Sequence, residues 1–429
     1  MGGSSLAPEV FAKTFGSKNG FLELSVLDST HPDMVTNLRK NIVFEETVFI
    51  VSTKSGGTVE TFSFMKYFYN EALANLGMDK VGEHFIAITD PGSGLESVAK
   101  ELNFRKIFLN DPNIGGRFSA LSLFGMVPAG LIGVDLDLFL SRVDSAITCS
   151  KLNNLEFNTG LKIGILAGKY AKDKKDKLTF ILSEKYKNFG VWAEQLIAES
   201  TGKLGNGVLP VEGEQIFNPE YYCTDRIFVY IHTKEETDLN TRVAELIKLG
   251  APVIECITED IYDLGSEFYR WEFATAIMGV ELRLNPFDQP NVESAKIVAR
   301  AMVKEYQETG IVPELTKYYC DKNVELCDKL EVNSIEDILP ALMNKSEEIV
   351  TKTGLKPYLS IQAYLNMSSE IDEVLQNLRK KVTEKYKIAT TLGYGPRFLH
   401  STGQLHKGDA GNGIFLQIID ETEIGRAHV

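Results

Sequence analysis

What these 429 residues lack narrows the field first. No apolar run approaches the roughly 20 residues that a membrane-spanning helix needs, and no charged-then-apolar signal segment opens the chain. A membrane protein is therefore not expected; a cytoplasmic one is. Cysteine is scarce: five residues, Cys149, Cys223, Cys256, Cys320 and Cys327, odd in number, scattered and without CxxC spacing. That argues against a disulfide framework or a thiolate metal site and for reduced thiols. Positive charge is in deficit, with 45 Lys and Arg against 59 Asp and Glu and a net charge of −14. Nucleic acid is not expected as a partner, although a local basic pocket could still hold one phosphate. There is no low-complexity segment and no fixed-period repeat. What remains is the composition of an ordinary soluble enzyme, 44% hydrophobic and 24% charged, long enough for two or three domains.

Short apolar runs alternate with amphipathic stretches. Residues 47–51, 85–89 and 106–109 read as strands, and residues 58–76 as a helix that Gly77 stops. A second unit begins near Ser150, with strands at 180–182, 226–231 and 252–257. This alternation implies parallel sheets covered by helices, an α/β fold. The charge run at 172–177 reads as a solvated loop. From about residue 310 the chain is richer in helix. Ile371, Val374, Leu375, Leu378 and Val382 fall at helical spacing, and Ser369 with Asp372 resembles a capping box. A Gly-rich stretch at 393–413 precedes a strand at 414–418. The last seven residues, 423–429, back-translate readily to a sequencing-adapter sequence, so they are expected to be a non-native tail and His428 is set aside.

Five stretches carry chemistry. Ser52-Thr53-Lys54-Ser55-Gly56-Gly57-Thr58-Val59-Glu60-Thr61 lies where a strand gives way to a helix and holds five hydroxyl side chains. Glycines admit a ligand to the backbone, and a helix start favours an anion; alone, the loop is equally compatible with ordinary capping. Met1-Gly2-Gly3-Ser4-Ser5 reads as a turn that could add a second backbone cradle. Arg117, behind Gly115-Gly116, suits a developing oxyanion or simply a surface turn. Glu199, three residues after Leu196 and seven after Trp192, sits on the buried face of a helix capped by Gly202, unlike Glu194. Desolvation would raise its pKa toward that of a general base, unless it pairs with Lys203. Lys296 falls in the second turn of a helix that starts near Asn291, after a loop fixed by Pro286 and Pro290. His400 and His406 lie in a polar loop suited to acid–base chemistry or to a structural role. Two histidines without a nearby carboxylate pair make a poor metal site.

Taken in order from Met1 to about Ile419, these segments resemble the glucose-6-phosphate isomerase family, and most of all the isomerase half of bifunctional transaldolase/glucose-6-phosphate isomerases. The resemblance shows in Gly2-Gly3-Ser4-Ser5-Leu6-Ala7-Pro8-Glu9, in Ala198-Glu199-Ser200-Thr201-Gly202-Lys203, and in Leu399-His400-Ser401-Thr402-Gly403-Gln404-Leu405-His406-Lys407-Gly408. It implies two sugar-isomerase (SIS) three-layer α/β/α sandwiches with parallel sheets. These would be residues 1–149, lacking a first strand, and 150–309. A C-terminal helical and α/β segment, 310–422, would complete the site. In family terms Ser4, Thr53, Ser55 and Thr58 hold the substrate phosphate, with Lys54 contributing mainly backbone. Arg117 stabilises an enediolate, Glu199 moves a proton between C1 and C2, and Lys296 assists ring opening. Two departures stand out. Gly56-Gly57 replace an aromatic and a hydroxyl, and the usual position of the ring-opening histidine holds Glu267, so His400 takes that role, with His406 and Glu267 as alternatives. The implied reaction is glucose 6-phosphate to fructose 6-phosphate, in glycolysis and gluconeogenesis, with no metal or organic cofactor. Another sugar-phosphate isomerase and a non-catalytic sugar-phosphate-binding module are the rivals. An upstream transaldolase domain and assembly into an oligomer are left open.

Overall fold

The structure, a computed structural model, describes residues 3–311, 316–321 and 324–420, without the side chains of 292–296 and 298–300; the expected tail at 423–429 lies outside the described residues. The described residues open not on a turn but on helix α1 (Gly3–Phe15). Leu6, Ala7, Val10 and Phe11 form one buried apolar stripe, and burying it outweighs the turn preference of the glycine and serines before it. Gly3 abuts the turn before Arg117 so closely that a Cβ would stand 2.0 Å from the Gly116 carbonyl oxygen. Strand β1 (Phe49–Ser52), helix α2 (Val59–Leu76), β2 (Phe85–Thr89) and β3 (Lys106–Leu109) follow, and the strands form a parallel sheet in the order β1-β2-β3. Gly77 ends α2 with φ 82°, a conformation costly for any side chain.

Helices α3 (Leu136–Ser150) and α4 (Thr159–Lys172) lead to a second parallel sheet, order β5-β4-β6-β7. Its strands are β4 (Lys177–Leu182), β5 (Leu209–Val211), β6 (Arg226–Thr233) and β7 (Val253–Thr258). Helix α5 (Phe189–Thr201) connects β4 to β5, and α6 (Leu264–Leu282) follows β7. All eight residues of β6 are buried, as expected for a parallel strand covered on both faces. β5 carries no sequence signature: it has three residues including Pro210, tolerated because the strand lies at the sheet edge.

The 172–177 run is only partly solvated. Asp176 and Lys177 are buried, with Lys177 Nζ 2.7 Å from Asp176 Oδ1, 3.4 Å from Asp225 Oδ2 and 2.6 Å from the Lys356 carbonyl oxygen. Full pairing is what permits a lysine at no exposure. The largest apolar core joins Phe11 of α1 and Phe139 of α3 to Trp192 and Leu196 of α5 and Phe268 and Trp271 of α6. It thus spans residues on both sides of position 150. Helix α4 meets α6 through Gly160, Gly164 and Gly168; a Cβ on Gly164 would lie 2.5 Å from Ile277 Cβ.

Helix α7 (Val292–Thr309) is followed by a two-stranded hairpin of β8 (Tyr319–Cys320) and β9 (Glu325–Leu326). A third parallel sheet then forms from β10 (Tyr358–Tyr364), β11 (Ala389–Tyr394) and β12 (Gly413–Ile419), order β11-β10-β12. Only β12 was legible beforehand. β10 and β11 bury Ser360, Gln362, Thr390 and Thr391, polar residues that break the apolar run by which a buried strand is recognised. Helix α8 (Ser369–Tyr386) joins β10 to β11; its N-cap is Ser368, which accepts from the Ile371 N–H, one residue before the expected Ser369.

Candidate active site

The hydroxyl-rich loop turns from β1 into α2. Thr53 is buried and its Oγ1 lies 3.3 Å from Thr58 Oγ1. Thr58 is the N-cap of α2 but makes no side-chain cap bond, so the first-turn N–H groups are not taken up by it, as anion binding at a helix start requires. Gly56 adopts φ 67°, and a Cβ there would lie 2.8 Å from the Leu95 amide; the aromatic of related loops has no room in this backbone. Ser55 is exposed. The Lys54 ammonium faces away, 2.5 Å from Asp90 Oδ2 and 2.7 Å from the Pro112 carbonyl oxygen. Ser4, in the first turn of α1, donates to the Ser52 carbonyl oxygen at 3.2 Å.

Arg117 is 4% exposed. Its Nε donates to Ser200 Oγ at 2.8 Å, Nη1 to Gln289 Oε1 at 3.2 Å, and Nη2 to the carbonyl oxygens of Pro286 and Asp288 at 2.7 and 2.8 Å. The last three partners belong to the proline-fixed loop before α7. Nη1 also stands 4.0 Å from Glu199 Oε2. The surface-turn alternative is therefore wrong: a planar fork is held rigidly beside the carboxylate.

Glu199, near the end of α5, is buried. Burial pushes its carboxyl up to about 7, against the pull of Arg117 and His400. Lys203 is engaged elsewhere, 2.8 Å from Asp288 Oδ1 and 2.9 Å from the Asn285 carbonyl oxygen. Gln195, one turn earlier, donates Nε2 both to Glu199 Oε2 at 3.2 Å and to the His400 carbonyl oxygen at 2.7 Å; its buried Oε1 has no partner among the described residues. The expected contrast with Glu194 holds in exposure but not in acidity. Glu194 is half-buried, and desolvation together with Glu212 pushes its carboxyl up to about 8. Glu212 follows edge strand β5, the element that the sequence did not reveal.

His400 comes from the C-terminal segment, on a 3₁₀ turn (Arg397–His400). Its Nε2 lies 3.3 Å from Glu60 Oε1, in the first turn of α2. The hydrogen bond to His400, against burial, holds the Glu60 carboxyl down at about 2. The sequence pattern assigns Glu60 no role, although its place in the first helical turn after the loop is a signal for one. The alternatives lie elsewhere. Glu267, fully buried in α6, is ion-paired with Arg270. His406 lies among Tyr358, Phe398 and Phe415, and burial pushes its pKa down to about 3. Lys296 is on α7, with its side chain outside the described residues. The N-cap of α7 is fixed by Gln404: Asn291 N–H donates to Gln404 Oε1 at 2.9 Å, and Gln404 Nε2 donates to Asn291 Oδ1 at 2.7 Å and to the Gly202 carbonyl oxygen at 2.9 Å.

A continuous run of contacts thus links loop 53–58, Glu60, His400, Gln195, Glu199 and Arg117. The phosphoglucose isomerase family model matches residues 1–209, which include the loop, Arg117 and Glu199. A glucose-6-phosphate isomerase from Carboxydothermus hydrogenoformans is 29% identical over 361 residues, 71% of this chain and 77% of that protein. One from Campylobacter jejuni is 28% identical over 346 residues, 70% of this chain and 83% of that protein. Among solved structures, a glucose-6-phosphate isomerase from Chlamydia trachomatis superposes with a TM-score of 0.61 at 21% identity, covering 72% of this chain and 69% of that one. That likeness concerns the fold, and the parallel α/β units fit the SIS type. The family model, over residues 1–209, and the relatives agree in the likeness of this chain to phosphoglucose isomerases.

Proposed function

We propose that this protein interconverts D-glucose 6-phosphate and D-fructose 6-phosphate through a cis-enediolate, the aldose–ketose step of glycolysis and gluconeogenesis. The observation that carries the reading is Glu199: a buried carboxyl lifted to about 7 beside the Arg117 guanidinium. A base with a pKa near the working pH is best matched to abstracting a proton made acidic by an adjacent carbonyl. Substrate phosphate binds loop 53–58 at the start of α2, with Ser4 alongside. His400, oriented by Glu60, passes a proton between the ring oxygen and the anomeric hydroxyl, so the C1–O5 bond breaks and the open aldehyde forms; Lys296 assists. Glu199 then takes the C2 proton, the electron pair moves into the C1 carbonyl, and the enediolate charge falls beside Arg117. Return of the proton to C1 yields the ketose. Gln195 Oε1, without a partner among the described residues, is an acceptor for a substrate hydroxyl.

The test is isomerase activity of the wild type and of Glu199→Gln. A wild type active on glucose 6-phosphate and a variant reduced by about 10³ or more support the reading; full activity in the variant removes Glu199 from it. The same resemblance supports three finer proposals: a transaldolase domain upstream in the full-length protein, assembly into an oligomer, and a cytoplasmic location. Among the described residues no helix is long and apolar enough to cross a membrane.

A further inference from the structure

Arg397 begins the 3₁₀ turn that ends at His400. It has no place in the proton transfers above. Its Nη2 is ion-paired with Glu9 Oε2, and its Nε stands 3.4 Å from Asp28 Oδ2. Burial lowers the pKa of Arg397, but Asp28 and Glu9 outweigh it and raise the guanidinium. Burial likewise pushes Glu9 up, and Arg397 and Lys13 outweigh it and hold the carboxyl below its ordinary value. Glu9 belongs to α1, whose Ser4 bonds the carbonyl at the end of β1, and Ser5 Oγ donates to Asp28 Oδ2 at 3.4 Å. One side chain therefore fastens the His400 turn to the helix beside loop 53–58. From the opposite side the turn is held by Gln195 through the His400 carbonyl oxygen. Phe398, between Arg397 and His400, is buried with its ring centroid 5.6 Å from that of Tyr364. A turn of four residues held at both ends moves as a unit, so its first residue governs where its last one stands.

We infer that Arg397, clasped to Glu9 and Asp28, is a positioning residue that sets His400 for ring opening. The inference rests on the proposed isomerase reading and adds a residue to its ring-opening half. Arg397 acts through His400 and not on the substrate. A misplacement of about 1 Å in a proton-transfer group costs up to about 100-fold, and a lysine in its place cannot reach two carboxylates with one fixed fork.

The experiment separates ring opening from proton transfer. In a Glu199→Gln background the protein cannot isomerise, yet it still opens and closes the ring. Catalysed mutarotation of α-D-glucose 6-phosphate, followed by polarimetry, then reads ring opening alone. Adding Arg397→Met is expected to lower its kcat about 10-fold or more, with KM little changed. Binding of 5-phospho-D-arabinonate, an acyclic mimic of the enediolate, is measured by calorimetry with Glu199 intact and should stay within about twofold. Glu9→Gln, which leaves the arginine in place, should reproduce part of the mutarotation loss, and Arg397→Lys should fall between. Unchanged mutarotation overturns the inference, and so does an equal fall in mutarotation and in arabinonate affinity, because a general loss of the site would produce that pattern. A wild type that neither isomerises nor mutarotates glucose 6-phosphate instead overturns the isomerase reading beneath it.

Discussion

Replacing Glu199 by glutamine should stabilise the protein, and increasingly so as pH rises. An exposed glutamate titrates near 4.5, whereas Glu199 titrates at about 7 because burial disfavours its charge more than Arg117 and His400 favour it. Between those values the folded protein holds a proton that the unfolded chain has released, so stability falls as pH climbs through the window. At about 1.4 kcal/mol per pH unit, the charged carboxylate costs about 3 kcal/mol once both states are ionised. Glutamine carries no charge, has nearly the same shape and still offers Gln195 an acceptor. Chemical denaturation of both proteins should therefore show the variant more stable by about 3 kcal/mol near pH 8.5 and by less than about 1 kcal/mol near pH 5. A difference that is flat with pH, or a variant less stable in alkali, would refute the claim that this carboxylate is desolvated. The basicity argument for proton transfer would go with it. For the same reason the acid limb of kcat/KM in the wild type should lie near 7.

Three further perturbations probe the surroundings. Arg117→Lys removes a fork that serves four partners and should cut kcat about 100-fold or more while lowering stability by about 3 kcal/mol, read by steady-state assay and by denaturation. His406→Phe should leave isomerase activity within about threefold, because the ring is a core element and not an acid–base group. The burial that pushes His406 down to about 3 also makes the wild type lose stability as pH falls from 6.5 toward that value, so the variant's acid-unfolding midpoint should move lower. Gly164→Ala sets a methyl 2.5 Å from Ile277 Cβ and 2.6 Å from the Ala274 carbonyl oxygen. Forcing α4 from α6 should cost about 1–3 kcal/mol in thermal or chemical denaturation.

Much of this molecule is readable along the chain, for local reasons. The apolar runs of β2 and β6 announce buried parallel strands, and Gly77 marks the end of α2, because burial on both faces and positive φ each demand particular residue types. The helical spacing of Trp192, Leu196 and Glu199 places a carboxylate in the core before any coordinate is known. Where local signals compete with packing, the chain misleads. Gly3-Ser4-Ser5 looks like a turn but starts a helix, because the stripe from Leu6 to Phe11 is buried against the rest of the core. The 172–177 run looks solvated, but Lys177 finds Asp225 and Lys356, far off in sequence. β10 and β11 hide behind polar residues that are buried.

The sequence by itself therefore carried the likeness to phosphoglucose isomerases, the parallel α/β plan, and the order in which the hydroxyl-rich loop, Arg117, Glu199 and Lys296 occur. Which histidine meets the helix after the hydroxyl-rich loop was decided only by tertiary structure. His400, His406 and Glu267 are all plausible acid–base groups on paper. What separates them is that His400 meets Glu60 across 340 residues, while His406 is enclosed by aromatic rings and Glu267 by Arg270. Proton chemistry depends on what surrounds a titratable group, and in a fold whose C-terminal segment returns to its N-terminal sheet those surroundings come from distant parts of the chain.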